Sequence, residues 1–175
     1  RADGARLAAD LAADPKLFAD TSTMAYAYRL SLDASAAPAL LSGLADVDSP
    51  VVPDLLYDLA TRAEPGSRLG ILASDLLQGR AVRRRASPPL AVALELVDMH
   101  DCASVAATLG RIESTADERI LSAIERLEKE DGCGPKSKDD CWPCLRDADH
   151  QSKLERARDA AKGRPFRPPW ALGRP

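Results

Sequence analysis

Leucine, alanine and valine recur at three- and four-residue intervals along this chain, and Asp, Ser, Gly or Pro break the pattern roughly every ten to fourteen residues. That period and length belong to short amphipathic helices. The first apolar stripe is Leu7, Ala8 and Leu11 within residues 5–13, and it stops at Asp14-Pro15. Residues 16–31 carry Phe18, Met24 and Tyr28, with Leu32 following, but the middle of this segment, DTSTMAY, is poor in helix formers and reads as a turn. Stripes of Leu40, Leu41 and Leu44, then Val52, Leu55, Leu56 and Leu59, then Leu69, Ile71, Leu72 and Leu76 predict helices over 36–47, 50–62 and 67–77. Leu90, Val92, Leu94 and Leu96 predict another to about Met99, and further helices are expected over 102–112, 117–129 and 151–162. Ser49-Pro50 and Ser87-Pro88 each pair a capping residue with a proline suited to the first helical position, and Gly79 can end a helix in a left-handed conformation. With 45% hydrophobic but only 4% aromatic residues, the core must come from Leu, Ala, Val and Ile. Alanine favours helix and disfavours strand, so the expected class is all-α.

Short polar turns between successive helices predict stacked hairpins over 36–62, 67–97 and 102–130. The stack resembles a HEAT or armadillo-like solenoid, with an irregular helical bundle as the alternative, because the units do not share a recurring Asp and Arg. Residues 1–163 are expected to form this helical domain, and the proline-rich 164–175 an extended or disordered tail that could serve as a polyproline ligand.

The formal net charge of -3 and isoelectric point near 5.5 provide no general positive field, so nucleic acid is not an expected partner. No apolar run approaches the roughly 20 residues of a membrane span, and the charged opening RADGARLAAD is not a signal peptide. A chain that begins without Met is expected to be part of a longer protein. Arg80, Arg83, Arg84 and Arg85 lie in GRAVRRRASPP, expected as a surface connector, and could bind phosphate or an acidic partner. RRAS within it resembles a substrate site for basophilic kinases.

Three of the four cysteines fall in GCGPKSKDDCWPCL. If the helices over 102–112 and 117–129 form an antiparallel hairpin, Cys102 meets Cys133, and the loop returns Cys141 and Cys144 to the same end. Two chemistries use all four thiols: a tetrahedral structural zinc, or two disulfides, one clamping Cys102 to Cys133. His100 and His150 flank the region and could replace a thiol as a metal ligand. Disulfides would require an oxidising compartment and zinc would suit the cytoplasm. Cys141-Trp142-Pro143-Cys144 also has the letters of a thioredoxin-like motif, which makes a small redox protein a competing class, although no strand or βαβ frame accompanies it. A zinc-containing nucleic-acid-binding module that uses the arginine connector is another.

The segment Leu90 to Leu96, Asp101-Cys102, Gly132 to Gly134 and Asp140 to Arg146 resembles a cysteine-containing helical region toward the C-terminal end of large bacterial signalling proteins, including serine/threonine kinases of the myxobacterial type. The likeness covers about residues 66–150 and departs from the pattern at Asp101, where Ser is expected, and in the polar PKSKD. It implies an accessory domain of a signalling protein, in kinases whose C-terminal part can be extracytoplasmic, which favours disulfides over zinc.

The kinase domain itself is absent: the chain contains no Gly-rich loop, HRD or DFG, and no GxSxG or HExxH. The expectation is therefore a non-catalytic interaction, regulatory or sensor module with a protein or peptide partner, no cofactor and a structural cysteine cluster, with one structural zinc as the alternative.

Overall fold

A computed structural model describes residues 1–173. Its α-helices are α1 (Ala2–Ala13), α2 (Thr21–Ser31), α3 (Ala37–Ala45), α4 (Val51–Arg62), α5 (Arg68–Gln78), α6 (Arg80–Arg83), α7 (Pro88–Asp98), α8 (Cys102–Thr115), α9 (Leu121–Glu128) and α10 (Ala148–Lys162). Single 3-10 turns occupy Pro15–Ala19, Glu118–Ile120, Pro143–Leu145 and Ala171–Gly173. Among the described residues the only bridge of β type joins Cys133 and Asp139, so the chain is all-α as its periodicity requires.

Helices begin where a side chain can accept from the amides the first turn leaves open. Asp20 Oδ1 accepts from the Thr23 amide at 2.7 Å, Ser67 Oγ from Gly70 at 3.2 Å and Asp101 Oδ1 from Ser104 at 2.8 Å. Hydrogen bonds from Thr23 and Ser104 hold the carboxyls of Asp20 and Asp101 below the usual carboxylate range. The cap at Asp20 decides the fate of DTSTMAY. Only Asp20 lies outside a helix, and α2 starts at Thr21, inside the stretch expected to turn. Gly79 is not left-handed: its φ of -58° ends α5 in an extended residue that also opens α6.

The chain divides into two compact units, Arg1–Ser87 with the segment from Arg167 onward, and Pro88–Phe166. α5 and α7 fall in different units, unlike the hairpin expected over 67–97.

In the first unit α1 packs on α3, and α4 packs chiefly on α5. The first contact is close because it is made at glycines. A Cβ on Gly4 would stand 2.5 Å from the Ala36 carbonyl oxygen, and one on Gly43 would stand 2.7 Å from Ala8 Cβ. Leu11, Met24, Leu40, Leu41, Leu44, Leu55, Leu56 and Leu59 fill the interior, all essentially without exposure. Removing stripes of this kind from water is the main favourable term in such a core.

The C-terminal segment is not a free tail. Trp170 is fully buried, and its Nε1 donates to Asp58 Oδ2 at 2.8 Å. Asp58, itself buried on α4, also receives Arg62 Nε at 2.8 Å. The 3-10 turn Ala171–Gly173 rests on α2. A buried carboxylate is costly unless charge and hydrogen bonds compensate it, and here the indole of Trp170 supplies part of that compensation.

In the second unit α8 packs chiefly against α10 and also against α7. Its core includes Leu96, Val105, Leu109, Ile112, Ile120, Ile124, Leu127, Trp142, Leu145 and Leu154. Arg119 and Asp117 pair at 2.7 Å with almost no exposure, and the Arg119 guanidinium lies 4.0 Å over the Phe166 ring. Arg164 Nη1 donates to the carbonyls of Glu113 and Ala116, and its own carbonyl accepts from the Glu118 amide, so the chain after α10 is also held in place.

Candidate functional site

The end of the second unit is built from residues 127–146, where the chain must leave α9, reverse and enter α10. Three residues with positive φ make the reversal: Gly132 at 111°, Gly134 at 74° and Ser137 at 51°. Glycine is required at 134, where a Cβ would stand 1.8 Å from Asp139 Oδ2. The ribbon closes through Cys133 and Asp139, which exchange two backbone hydrogen bonds of 3.0 Å. It sets Cys133 and Cys141 with Cα atoms 5.1 Å apart, and the two are joined in a disulfide.

Cys102 is the first residue of α8 and Cys144 lies in the 3-10 turn Pro143–Leu145, which packs on α8. Their Cα atoms are 6.0 Å apart and they form the second disulfide. Both separations lie inside the span a disulfide bridges, about 4.4–6.8 Å. The four cysteines expected as a cluster are thus all used, but the expected bond between Cys102 and Cys133 is not made. That bond presumed α8 and α9 to be a hairpin. α8 instead lies against α10 and the 143–145 turn, which carries Cys144 to Cys102.

Cys141 pairs with Cys133 and Cys144 with Cys102, so the two cysteines of CWPC belong to different disulfides. No cysteine among the described residues is free, and no group of three or more His, Cys, Asp or Glu there is arranged to hold a metal. His150 is taken up locally, with Nδ1 2.6 Å from Asp147 Oδ2 at the start of α10.

A second set of bonds fixes the same loop without sulfur. Arg146 Nε reaches Asp140 Oδ2 at 2.7 Å, and its Nη2 donates to the Lys129 carbonyl at 2.7 Å and to Leu127 at 3.2 Å. One guanidinium therefore satisfies carbonyls at the end of α9 that the helix leaves open. The same hydrogen bonding from Arg146 holds the Asp140 carboxyl below its usual range. Asp140 Oδ1 accepts from the Trp142 amide at 2.7 Å, which fixes the backbone just where the Trp142 side chain turns inward.

Beside this loop is a cleft of about 500 Å³, lined by Met99, His100, Arg126, Lys129, Asp131 and Trp142 together with the Cys133 to Cys141 wall. Arg126 and Lys129 were not singled out in the sequence. Arg126 lies in the last turn of α9 and Lys129 is the extended residue that follows it.

The four arginines are placed less simply than a basic patch. Arg85 reaches the carbonyls of Ala45 and Val47 at the end of α3, and Arg83 Nη1 donates to Gln78 Oε1 at 3.3 Å. Arg84 and Arg85 share a shallow depression with Asp46 and Asp48, so carboxylates offset the positive charge there. Arg80 is exposed, and the segment forms α6 with Val82 buried instead of an irregular connector.

No helix among the described residues is long and apolar enough to cross a membrane. Comparison with protein-family models, with curated proteins and with solved structures finds nothing that matches the chain.

Proposed function

We propose that this chain is a non-catalytic interaction or regulatory module of a larger bacterial signalling protein, working in an oxidising compartment, and that the cleft beside the disulfide-bonded loop engages a segment of a protein partner. The observation that carries this reading is the division of the CWPC cysteines between two different disulfides. Such sulfurs act as struts: they hold the wall of a concave surface at fixed geometry, and pre-organisation of that kind favours binding by lowering the ordering cost. Cysteines that are all paired suit an extracytoplasmic setting. The likeness of Leu90 to Leu96, Gly132 to Gly134 and Asp140 to Arg146 to the cysteine-containing region of bacterial signalling kinases supplies the signalling context.

The test has two arms on the oxidised full chain. Insulin reduction should show no turnover above the reagent background. Selection from a random peptide display library should enrich a shared sequence whose binding is lost in Arg126→Glu/Lys129→Glu. Sustained insulin reduction, or enrichment indifferent to that double substitution, would overturn the reading.

A further inference from the structure

Residues 129–139, from the end of α9 through most of the Cys133 to Cys141 ribbon, are all exposed. Inside the ribbon the chain reads Gly134-Pro135-Lys136-Ser137-Lys138-Asp139-Asp140. Exposed polar loop tips are where proteases nick folded chains. A trypsin-class protease holds a lysine side chain in a pocket with a carboxylate at its base and hydrolyses the bond that follows. The bond after Lys136 leads into Ser137 and Lys138, whereas Lys138 precedes Asp139 and Asp140, whose charge opposes such a pocket. Arg164 and Arg167 are each followed by proline, which blocks this cleavage. Exposure alone does not make the Lys136 bond cleavable. A protease binds its substrate as an extended strand, and this segment is folded back on itself. Ser137 donates to the Gly134 carbonyl at 3.1 Å, Gly132 donates to the Ser137 carbonyl at 3.1 Å, and Cys133 and Asp139 bond each other. Ser137 has a φ of 51°, outside the extended region. The disulfide keeps the Cα atoms at the two ends of the segment 5.1 Å apart, where the same 8 steps fully extended reach about 26 Å.

We propose that residues 133–141 are a redox-gated processing site, closed to a lysine-specific serine protease while Cys133 and Cys141 are joined and cut between Lys136 and Ser137 once they are reduced. The reductant is a dithiol. One of its thiolates attacks the Cys133 sulfur and Cys141 leaves as a thiolate; the second thiolate of the reductant then displaces Cys133. The reductant departs as a disulfide, and two cysteine thiols are left behind. Cys133 is exposed, whereas Cys102 and Cys144 are both half-buried against the core, and exposed disulfides are the readily reduced ones. Between 129 and 139 no buried residue holds the freed segment, so it opens, and cleavage of an opened segment follows the population of the open form. Water adds across the peptide bond after Lys136, leaving a carboxylate on Lys136 and an amino group on Ser137. Cys102 and Cys144 lie on opposite sides of that cut, so the two pieces stay joined through their disulfide. A passing reduction is thereby recorded as a permanent cut, whatever the cleft binds.

The probe is trypsin at a low, fixed ratio to the full-length chain. The substrates are the oxidised parent, the variant Cys133→Ser/Cys141→Ser, and the parent given limiting dithiothreitol and then alkylated, each with its helices verified by circular dichroism before digestion. The serine variant and the reduced parent should be cut after Lys136 about tenfold or more faster than the oxidised parent, because losing the crosslink frees the conformational entropy of its loop. The product should run as one species without reductant and as two with it. Lys136→Gln in the serine variant should abolish the fast cut, and peptide mapping of the alkylated parent should find the label on Cys133 and Cys141 first. Equal rates for the oxidised parent and the serine variant, a first cut at another residue, or labelling of Cys102 and Cys144 ahead of the loop pair would sink the gated site. If the serine variant has lost its helices, the reduced and alkylated parent decides by the same rate and the same cut position.

Discussion

Breaking the bond between Cys102 and Cys144 tests most directly how the second unit is held together. The two cysteines are 42 residues apart, and the chain-entropy relation for a loop of that length gives about 4 kcal/mol of stabilisation. The bond between Cys133 and Cys141 spans only 8 residues, for which the same relation gives about 2.5 kcal/mol. Packing adds to the difference, because both Cys102 and Cys144 lie against the unit's hydrophobic core, whereas of the other pair only Cys141 does and Cys133 is exposed. The double variant Cys102→Ser/Cys144→Ser should therefore lose more than Cys133→Ser/Cys141→Ser. For a cooperative unit the size of residues 88–166, a loss of about 4 kcal/mol lowers the melting temperature by roughly 15–30 °C. Differential scanning calorimetry of the three oxidised proteins, with pairing verified by non-reducing peptide mapping, makes the measurement. A Cys102/Cys144 variant that melts within about 5 °C of the parent, or above the Cys133/Cys141 variant, would refute the claim that the long-range bond anchors α8.

Three further outcomes are expected. Trp170→Phe keeps the ring but removes the hydrogen bond to buried Asp58, and it should cost the first unit about 2 kcal/mol, read as a lower urea midpoint by circular dichroism. Gly4→Ala would drive a methyl group into the Ala36 carbonyl and should cost about 1–3 kcal/mol by the same assay, although alanine is the better helix former. Asp140 is held below its ordinary value of 3.8, so its contribution is present above that pH and disappears as pH falls through the lowered folded value. Asp140→Asn should then be less stable than the parent at neutral pH, and the gap between their urea midpoints should close below pH 3.8; a gap constant with pH would show that the charge of Asp140 is not involved.

The helices were readable in this sequence because each announces its own buried stripe and often its own cap: Leu55, Leu56 and Leu59 of α4 and Ser67 before α5 are examples. Which stripe meets which was not readable, because a period of 3.6 marks the buried face and not its neighbour. The predicted hairpin of α8 with α9 failed on that point, and it took the predicted bond between Cys102 and Cys133 with it. Trp170 was missed for a related reason. It stands after Arg167-Pro168-Pro169, a context that reads as extended chain, and nothing local reveals that Asp58, 112 residues earlier, needs a donor. At the cleft the cysteines drew attention to the right loop, whereas Arg126, Lys129 and Met99 join it only through tertiary packing.

The nested arrangement of the two disulfides sets an order of events when the protein is made. In an unfolded chain Cys141 and Cys144 are closer in sequence than either native pair, with separations of 8 and 42, so random collision oxidises the wrong pair first. The outer native bond becomes the favoured one only after α8 has docked beside the 143–145 turn. Correct bridging is thus a consequence of folding before it is a support for it, and early oxidation of CWPC must be undone by thiol exchange, a step that takes minutes to hours when uncatalysed. The residues that most resemble a redox catalyst here are the ones for which the chain itself would be a substrate.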